Sequence, residues 1–218
     1  MKDIIIEKIQ NSEIGEIANI LTDAFETNPA YSIIFTNKDY QREGLRWLFK
    51  TSLTLNNHKH VLTRVIKEKD TGKIIGTFTL IPPQGVKTGI FIYFKIGIKD
   101  FIKRFGIKSF TRMMRLDNIN KLTLSKSIKS SKYYYLSMVV IQKEYRGRGI
   151  GSYAIKQAIE DLVSSNPSCN LLGLTTQLPE NVVFYSHLGF YQLDEGYIDF
   201  KGDRYYNYNM KLNVGPER

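Results

Sequence analysis

The chain has 218 residues, 42% hydrophobic and 24% charged, which suits one well-packed domain or one domain with a sizeable insertion and excludes a disordered or fibrous chain. The start, Met1-Lys2-Asp3-Ile4-Ile5-Ile6-Glu7, has an apolar run too short for a signal peptide, and no stretch is long enough to cross a bilayer. The expectation is a cytoplasmic protein with no transmembrane segment. The formal charge of +10 is concentrated: between Lys87 and Lys132, twelve Lys and Arg stand against Asp100 and Asp117, so the rest is close to neutral. A patch of this kind suits a polyanionic cofactor, an acidic substrate, nucleic acid or a lipid surface, without choosing among them. Cys169 is the only cysteine, so no internal disulfide can form, and its apolar surroundings read as core.

In chain order, Ile4 to Ile9 reads as a short strand. Asn11 or Ser12 then offers a cap for a helix with Ile14, Ile17, Ala18, Ile20, Leu21 and Phe25 at helical spacing. A second helix covers Asp39 to Leu55, with Leu45, Leu48, Phe49 and Leu53 on one face. Val61 to Lys67 and Lys73 to Leu80 read as strands joined by the turn Lys69-Asp70-Thr71-Gly72, and Pro82-Pro83 stops the second. The basic segment from Gly85 to Lys132 has one apolar set at Ile98, Phe101, Ile102 and Phe105 and another at Phe110, Met113 and Met114. Gly106 separates them, which predicts two short amphipathic helices. Tyr133 to Ile141 reads as a central strand, Gly149 to Val163 as a helix, Leu171 to Thr175 as a strand and Pro179 to Leu188 as a helix ending at Gly189. Tyr191 to Asp199 and Arg204 to Leu212 complete the strands.

Arg146, Gly147, Gly149 and Gly151 lie where a buried strand hands over to a helix. The free N–H groups and positive dipole end of a helix N-terminus stabilise an anion. Glycines let phosphates approach the backbone without meeting a Cβ, and Arg146 and Arg148 add charge. A P-loop would need Gly-Lys-Ser/Thr, and the next lysine is Lys156; a dinucleotide fingerprint would need an acid closing the next strand, which ends Thr175-Thr176-Gln177. A tight turn that merely connects strand to helix remains open on glycine spacing alone.

Taken with its surroundings, the stretch resembles the core motif of the GCN5-related N-acetyltransferase (GNAT) superfamily. Arg146-Gly147-Arg148-Gly149-Ile150-Gly151 matches Arg/Gln-x-x-Gly-x-Gly/Ala, and Asn181-Val182-Val183-Phe184-Tyr185-Ser186-His187-Leu188-Gly189-Phe190 matches Asn-x-x-x-x-Tyr-x-x-x-Gly-Phe. A long segment before the motif strand, and Leu174-Thr175-Thr176 before Asn181, also resemble the puromycin N-acetyltransferase group. The resemblance implies one α/β domain over residues 1–218 with a mixed, mostly antiparallel sheet flanked by helices and a basic helical insertion at about 85–132. It implies acetyl-coenzyme A as acyl donor, its pantetheine arm along Val139, Val140 and Ile141 and its pyrophosphate at Arg146, Gly147, Arg148, Gly149, Ile150, Gly151 and Ser152.

The implied reaction is direct attack by a primary amine, on a small molecule or a protein. The Val139 N–H would hold the oxyanion and the Tyr185 hydroxyl would serve the departing thiolate. Tyr185 could instead be a packing residue, and Asn181 could bond the cofactor or cap its helix. His187, about 200° round the helix from Tyr185, reads as a surface or packing residue. A base for the amine is expected, and Asp23, Glu26 and Tyr31 border the acceptor region without one standing out. No metal site is expected, since His58 and His60 lack a third ligand. The alternative is a catalytically idle module that binds nucleic acid or a membrane surface through the basic insertion. For the enzyme no stable nucleic-acid complex is expected, and a homodimer is left open.

Overall fold

The computed structural model describes residues 3–57, 61–85, 97–130, 132–166 and 168–214. His58 and His60, and part of the basic segment, lie outside them. The strands are β1 (Ile4–Lys8), β2 (Leu62–Glu68), β3 (Ile74–Ile81), β4 (Tyr134–Ile141), β5 (Leu171–Thr176), β6 (Tyr191–Phe200) and β7 (Asp203–Asn213). They form one sheet in the order β1-β2-β3-β4-β5-β7-β6. All neighbours are antiparallel except β4 and β5. β3, Ile-Ile-Gly-Thr-Phe-Thr-Leu-Ile, is buried along nearly its whole length, as its unbroken apolar and β-branched sequence requires. At the far edge Lys201 and Gly202, both at positive φ, make a two-residue hairpin that fixes the β6–β7 register.

Helices α1 (Ile14–Phe25), α2 (Pro29–Ser32), α3 (Gln41–Asn56) and α4 (Ile98–Ile128) precede β4; α5 (Ile150–Ser165) follows it and α6 (Pro179–His187) follows β5. α1 buries Ile14, Ile17, Ala18 and Leu21, and α3 buries Leu45, Phe49 and Leu53, the stripes that their spacing predicts. Asn11 and Ser12 do not cap α1. They form a 3-10 turn, and the Glu13 carboxylate accepts the Gln10 backbone N–H at 2.8 Å. The short α2 is missing from the sequence reading. Its signal is Asn28-Pro29, where the Asn28 side chain accepts the Ala30 N–H at 3.0 Å and proline fills the first turn.

The basic insertion holds the two helical arms that the sequence predicts, parted at Gly106, whose backbone (φ 81°, ψ 154°) leaves helical geometry; the second arm, residues 107–128, is long rather than short. Its apolar face covers the protein's own body. Phe101 stacks on Trp47 at 4.4 Å and lies near Phe35 and Phe105, and Leu116, Leu124 and Ile128 are buried. Met114, expected on this face, is 48% exposed, because Arg112 takes the inward position instead. The Arg112 Nε donates to the Ile33 carbonyl at 2.6 Å, its guanidinium pairs with Asp203, and it lies 5.1 Å from the Phe200 ring. Two apolar clusters result, one between the sheet and α1, α3 and α4, the other between the sheet and α5 and α6. Cys169 is buried in the second.

Candidate functional site

The site starts from an irregularity in β4. Thr77 pairs with Val140 and Thr79 with Ser137, so β4 carries one more residue than β3 across the same interval. That extra residue gives Met138 a φ of 51°, a left-handed conformation that costs a non-glycine residue about 1–2 kcal/mol. Strain of this kind concentrates where geometry serves a site. On its other side β4 meets β5 at Tyr134–Leu172 and Tyr135–Gly173 and nowhere beyond. From Leu136 to Ile141, which takes in the bulge at Val139 and the following Val140, the β5 side of β4 has no ladder partner.

The chain then passes through a 3-10 turn, Lys143–Tyr145, into the glycine turn. Gly147 and Gly149 have φ of 74° and 72°, so both need the left-handed region that glycine enters at little cost. Gly149 is the N-cap of α5, with no side-chain cap. The N–H groups of Ile150, Gly151 and Ser152 therefore have no intrahelical acceptor, and the first bond of the helix is Tyr153 N–H to Gly149 at 3.0 Å. Residues 146–149 are exposed. The Arg146 Nε donates to the Ile141 carbonyl at 2.8 Å, an Arg148 terminal N–H donates to the Glu144 carbonyl at 2.9 Å, and Arg148 and Lys73 flank the Tyr145 ring. A Cβ on Gly151 would stand 3.3 Å from Ile141 and 3.4 Å from Phe184, so α5, β4 and α6 converge there.

Tyr185, on α6, is 8% exposed, with its ring edge-on to Phe184 and Phe190. Its hydroxyl makes no hydrogen bond among the described residues. Burial, then the neighbouring Tyr135 phenol, pushes its pKa above the ordinary tyrosine value, so it stays protonated at neutral pH. Asn181 does not cap α6; its amide donates to the Thr176 hydroxyl at 3.0 Å, while Leu178 occupies the cap position. His187 is exposed. Asp23 and Glu26 both bind Arg42 on the surface, which leaves Tyr31 as the candidate that faces inward.

The sequence reading missed how the tyrosines gather. Tyr135 is pushed up to about 12, first by burial, offset by a hydrogen bond with Thr175, and then by Asp117 and Tyr133. Tyr31 and Tyr205 are raised too, first by burial and then with Tyr135 among the causes. The available signal was alternation in Tyr133-Tyr134-Tyr135, which sends the first and third rings to one face. Among the described residues there is no metal-binding cluster and no helix long and apolar enough to cross a membrane. An open groove of about 570 Å³ lies away from this centre, between residues 123–129 and β6. It is lined by surface lysines and acids and lacks the glycine turn.

A search of curated proteins finds no match. Among solved structures, the chain is similar to a histone acetyltransferase HPA2 and related acetyltransferase from Corynebacterium glutamicum, with TM-score 0.65 and 17% identity over 99% of this chain and 98% of that one. It is also similar to a spermidine N-acetyltransferase from Vibrio cholerae in complex with CoA and spermine (TM-score 0.55, 12% identity, 98% and 97% coverage). A third is a ribosomal-protein-S18-alanine N-acetyltransferase from Escherichia coli (TM-score 0.55, 11% identity, 99% and 96% coverage). At these identities the likeness establishes the fold. The model of the Acetyltransferase (GNAT) family matches residues 16–190, from within α1 through α6, and the chain belongs to that family.

Proposed function

We propose that the protein transfers an acetyl group from acetyl-coenzyme A to a primary amine, on a small molecule or on a protein, by direct attack of the amine nitrogen. One observation carries the reading: the uncapped N-terminus of α5 meets the unpaired edge of β4 and the helix α6 at Gly151, where Ile141 and Phe184 stand within 3.4 Å of a Cβ position, and Phe184 is the neighbour of Tyr185. These residues suit the donor. Gly147 and Gly149 leave the approach to the α5 N-terminus free of side chains, the N–H groups of Ile150, Gly151 and Ser152 offer donors to phosphate oxygens, and Arg146 and Arg148 add positive charge. Val139, Val140 and Ile141 supply backbone partners for the pantetheine arm, while Asn181 braces α6 against β5.

Acetyl-coenzyme A supplies an acyl group activated as a thioester. The Val139 N–H, set in the bulge, is the donor for negative charge at the carbonyl oxygen. Tyr185 donates a hydrogen bond to the leaving sulfur. Because burial makes its phenol a reluctant acid, the proton that finally resides on sulfur comes from the attacking nitrogen, relayed through Tyr185 with no net change in it. We place residues 1–218 in one domain and the reaction in the cytoplasm. Against a membrane-surface role stands the burial of Phe101, Phe105, Leu116, Leu124 and Ile128 of α4 against the protein's own body, which withholds that stripe from lipid, although Ile107, Met114 and Leu122 on the same helix stay exposed.

The test is a panel of primary amines incubated with acetyl-coenzyme A, with free thiol as the readout. Amine-dependent thiol release is expected, and Gly149→Val should abolish it. Absence of cofactor binding at millimolar concentration would overturn the reading.

A further inference from the structure

β6 is the last strand of the sheet: one side pairs with β7, and among the described residues no strand pairs with the other. The two-residue turn at Lys201 and Gly202 makes Phe200–Asp203 a pair that exchanges both backbone hydrogen bonds, and alternation gives the same role to Ile198, Gly196 and Asp194. The N–H and C=O groups of Glu195, Tyr197 and Asp199 therefore point away from β7, toward the free edge.

The groove of about 570 Å³ runs along that edge. Six consecutive residues of the strand, 193–198, line it on one side, and Thr123, Lys126, Ser127 and Lys129 of α4 line it on the other. Successive strand residues alternate between faces, so a groove that meets all six follows the backbone, over about 17 Å, rather than sitting on one face. A Cβ at Gly196, midway along, would meet nothing within 4 Å. The slot is preformed, because Ser127 and Asn209 both donate to the Asp194 carboxylate, Asn209 at 2.7 Å, and so tie the strand to the helix.

The two sides of the slot differ in charge. Lys126 and Lys129 stand exposed on the helix side, where the Asp194 carboxylate is already engaged. On the opposite face Glu195 and Asp199 flank Tyr197, which is 62% exposed, edge-on to Tyr206 at 4.9 Å, and already carries the Arg204 guanidinium at 4.5 Å from its ring. No Lys or Arg occurs between Tyr191 and Phe200. A chain added to the edge would alternate its side chains in step with β6, so cations suit the face of Glu195 and Tyr197 and carboxylates suit the face of the two lysines. A second copy of β6 fits badly, since antiparallel pairing about Tyr197 sets Glu195 and Asp199 against each other, acid against acid.

We propose that the free edge of β6 docks an extended peptide segment of a partner protein as an added strand, with Lys or Arg at alternate positions beside Glu195 and Tyr197 and acidic residues between them beside Lys126 and Lys129. The site is separate from the glycine turn, and the proposal does not rest on the acetyltransfer reading.

The probe is a capped peptide of alternating Lys and Glu, titrated calorimetrically into the full chain. In the added strand the Lys residues lie opposite Glu195, Tyr197 and Asp199 and use their backbone N–H groups to bond β6, while the Glu N–H groups face away. N-methylating the Lys nitrogens should therefore weaken binding about tenfold or more, and N-methylating the Glu nitrogens should leave it nearly unchanged. Glu195→Lys and Lys126→Glu, both at exposed positions, should each weaken binding about tenfold with the helical dichroism and the acetyl-coenzyme A Kd unchanged. No binding of the peptide to the wild type, equal binding of the two N-methylated peptides, or unchanged affinity in both charge variants would overturn the proposal. A wild-type dimer that the peptide dissociates would assign the edge to a second copy and overturn it as well.

Discussion

Raising the pH should unfold this protein through its buried phenols. Tyr31, Tyr135, Tyr185 and Tyr205 all have pKa values raised first by burial, Tyr135 to about 12. A phenol in the unfolded chain loses its proton near pH 10. Below about pH 10 both states hold the proton and the stability is intact; above it the unfolded chain releases protons that the folded chain retains, so stability falls as pH rises. Each group contributes about 1.4 kcal/mol per pH unit, and the rise from 10 to about 12 at Tyr135 is worth ~3 kcal/mol. Four such groups remove about 6 kcal/mol by pH 11, comparable with the total stability of about 5–15 kcal/mol typical of a domain. Helical circular dichroism and tyrosinate absorbance, followed in parallel, should show a cooperative loss of structure between about pH 11 and 12, with tyrosinate from these four appearing only as the helices melt. Complete ionisation of all 14 tyrosines with native dichroism retained would refute the reasoning.

Acetyl-coenzyme A should raise Tm in proportion to ligand excess over Kd, and Gly149→Val should remove that shift, because position 149 needs a φ of 72° and opens α5; a retained shift would place the cofactor elsewhere. Tyr185→Phe should lower kcat by about ten- to a thousandfold with little change in cofactor affinity, and equal activity would return Tyr185 to a packing role. Phe101→Ala should act on stability before it acts on acceptor KM. The ring is 1% exposed and packed among Phe35, Trp47, Phe105 and Phe110, so truncation should cost about 3–5 kcal/mol, read by denaturant unfolding. An unchanged midpoint would show that the insertion does not dock as described.

The sequence carried the order of strands and helices because its periodicities change cleanly, from the 3.6-residue recurrence of Ile14, Ile17, Ala18 and Leu21 to the continuous apolar run of β3. It carried the glycine turn because left-handed positions advertise themselves as glycine. Met138 shows the limit: its positive φ is imposed by the extra residue against β3, and nothing in the identity of a methionine announces it. The insertion shows another. Its apolar spacing identified helices, but which residues turned inward depended on Asp203 and the Ile33 carbonyl waiting for Arg112, partners distant in sequence. Tyr31 was visible as one of three candidates near the acceptor region, and only tertiary structure sent Asp23 and Glu26 to Arg42 and Tyr31 into the interior.

Two ladder pairs, Tyr134–Leu172 and Tyr135–Gly173, are all that join β4 to β5. Mechanically the seven-stranded layer is two antiparallel panels, one of four strands and one of three, hung on a short seam. Each panel closes its own hydrogen bonds, so it can open and close as a separate cooperative unit, and what keeps the two in register is the helices strapped across them. A molecule lying along the free edge of β4 would act as a strut between the panels. Its absence would leave the seam as the most compliant line in the sheet, so ligand occupancy and the rigidity of the whole fold rise and fall together.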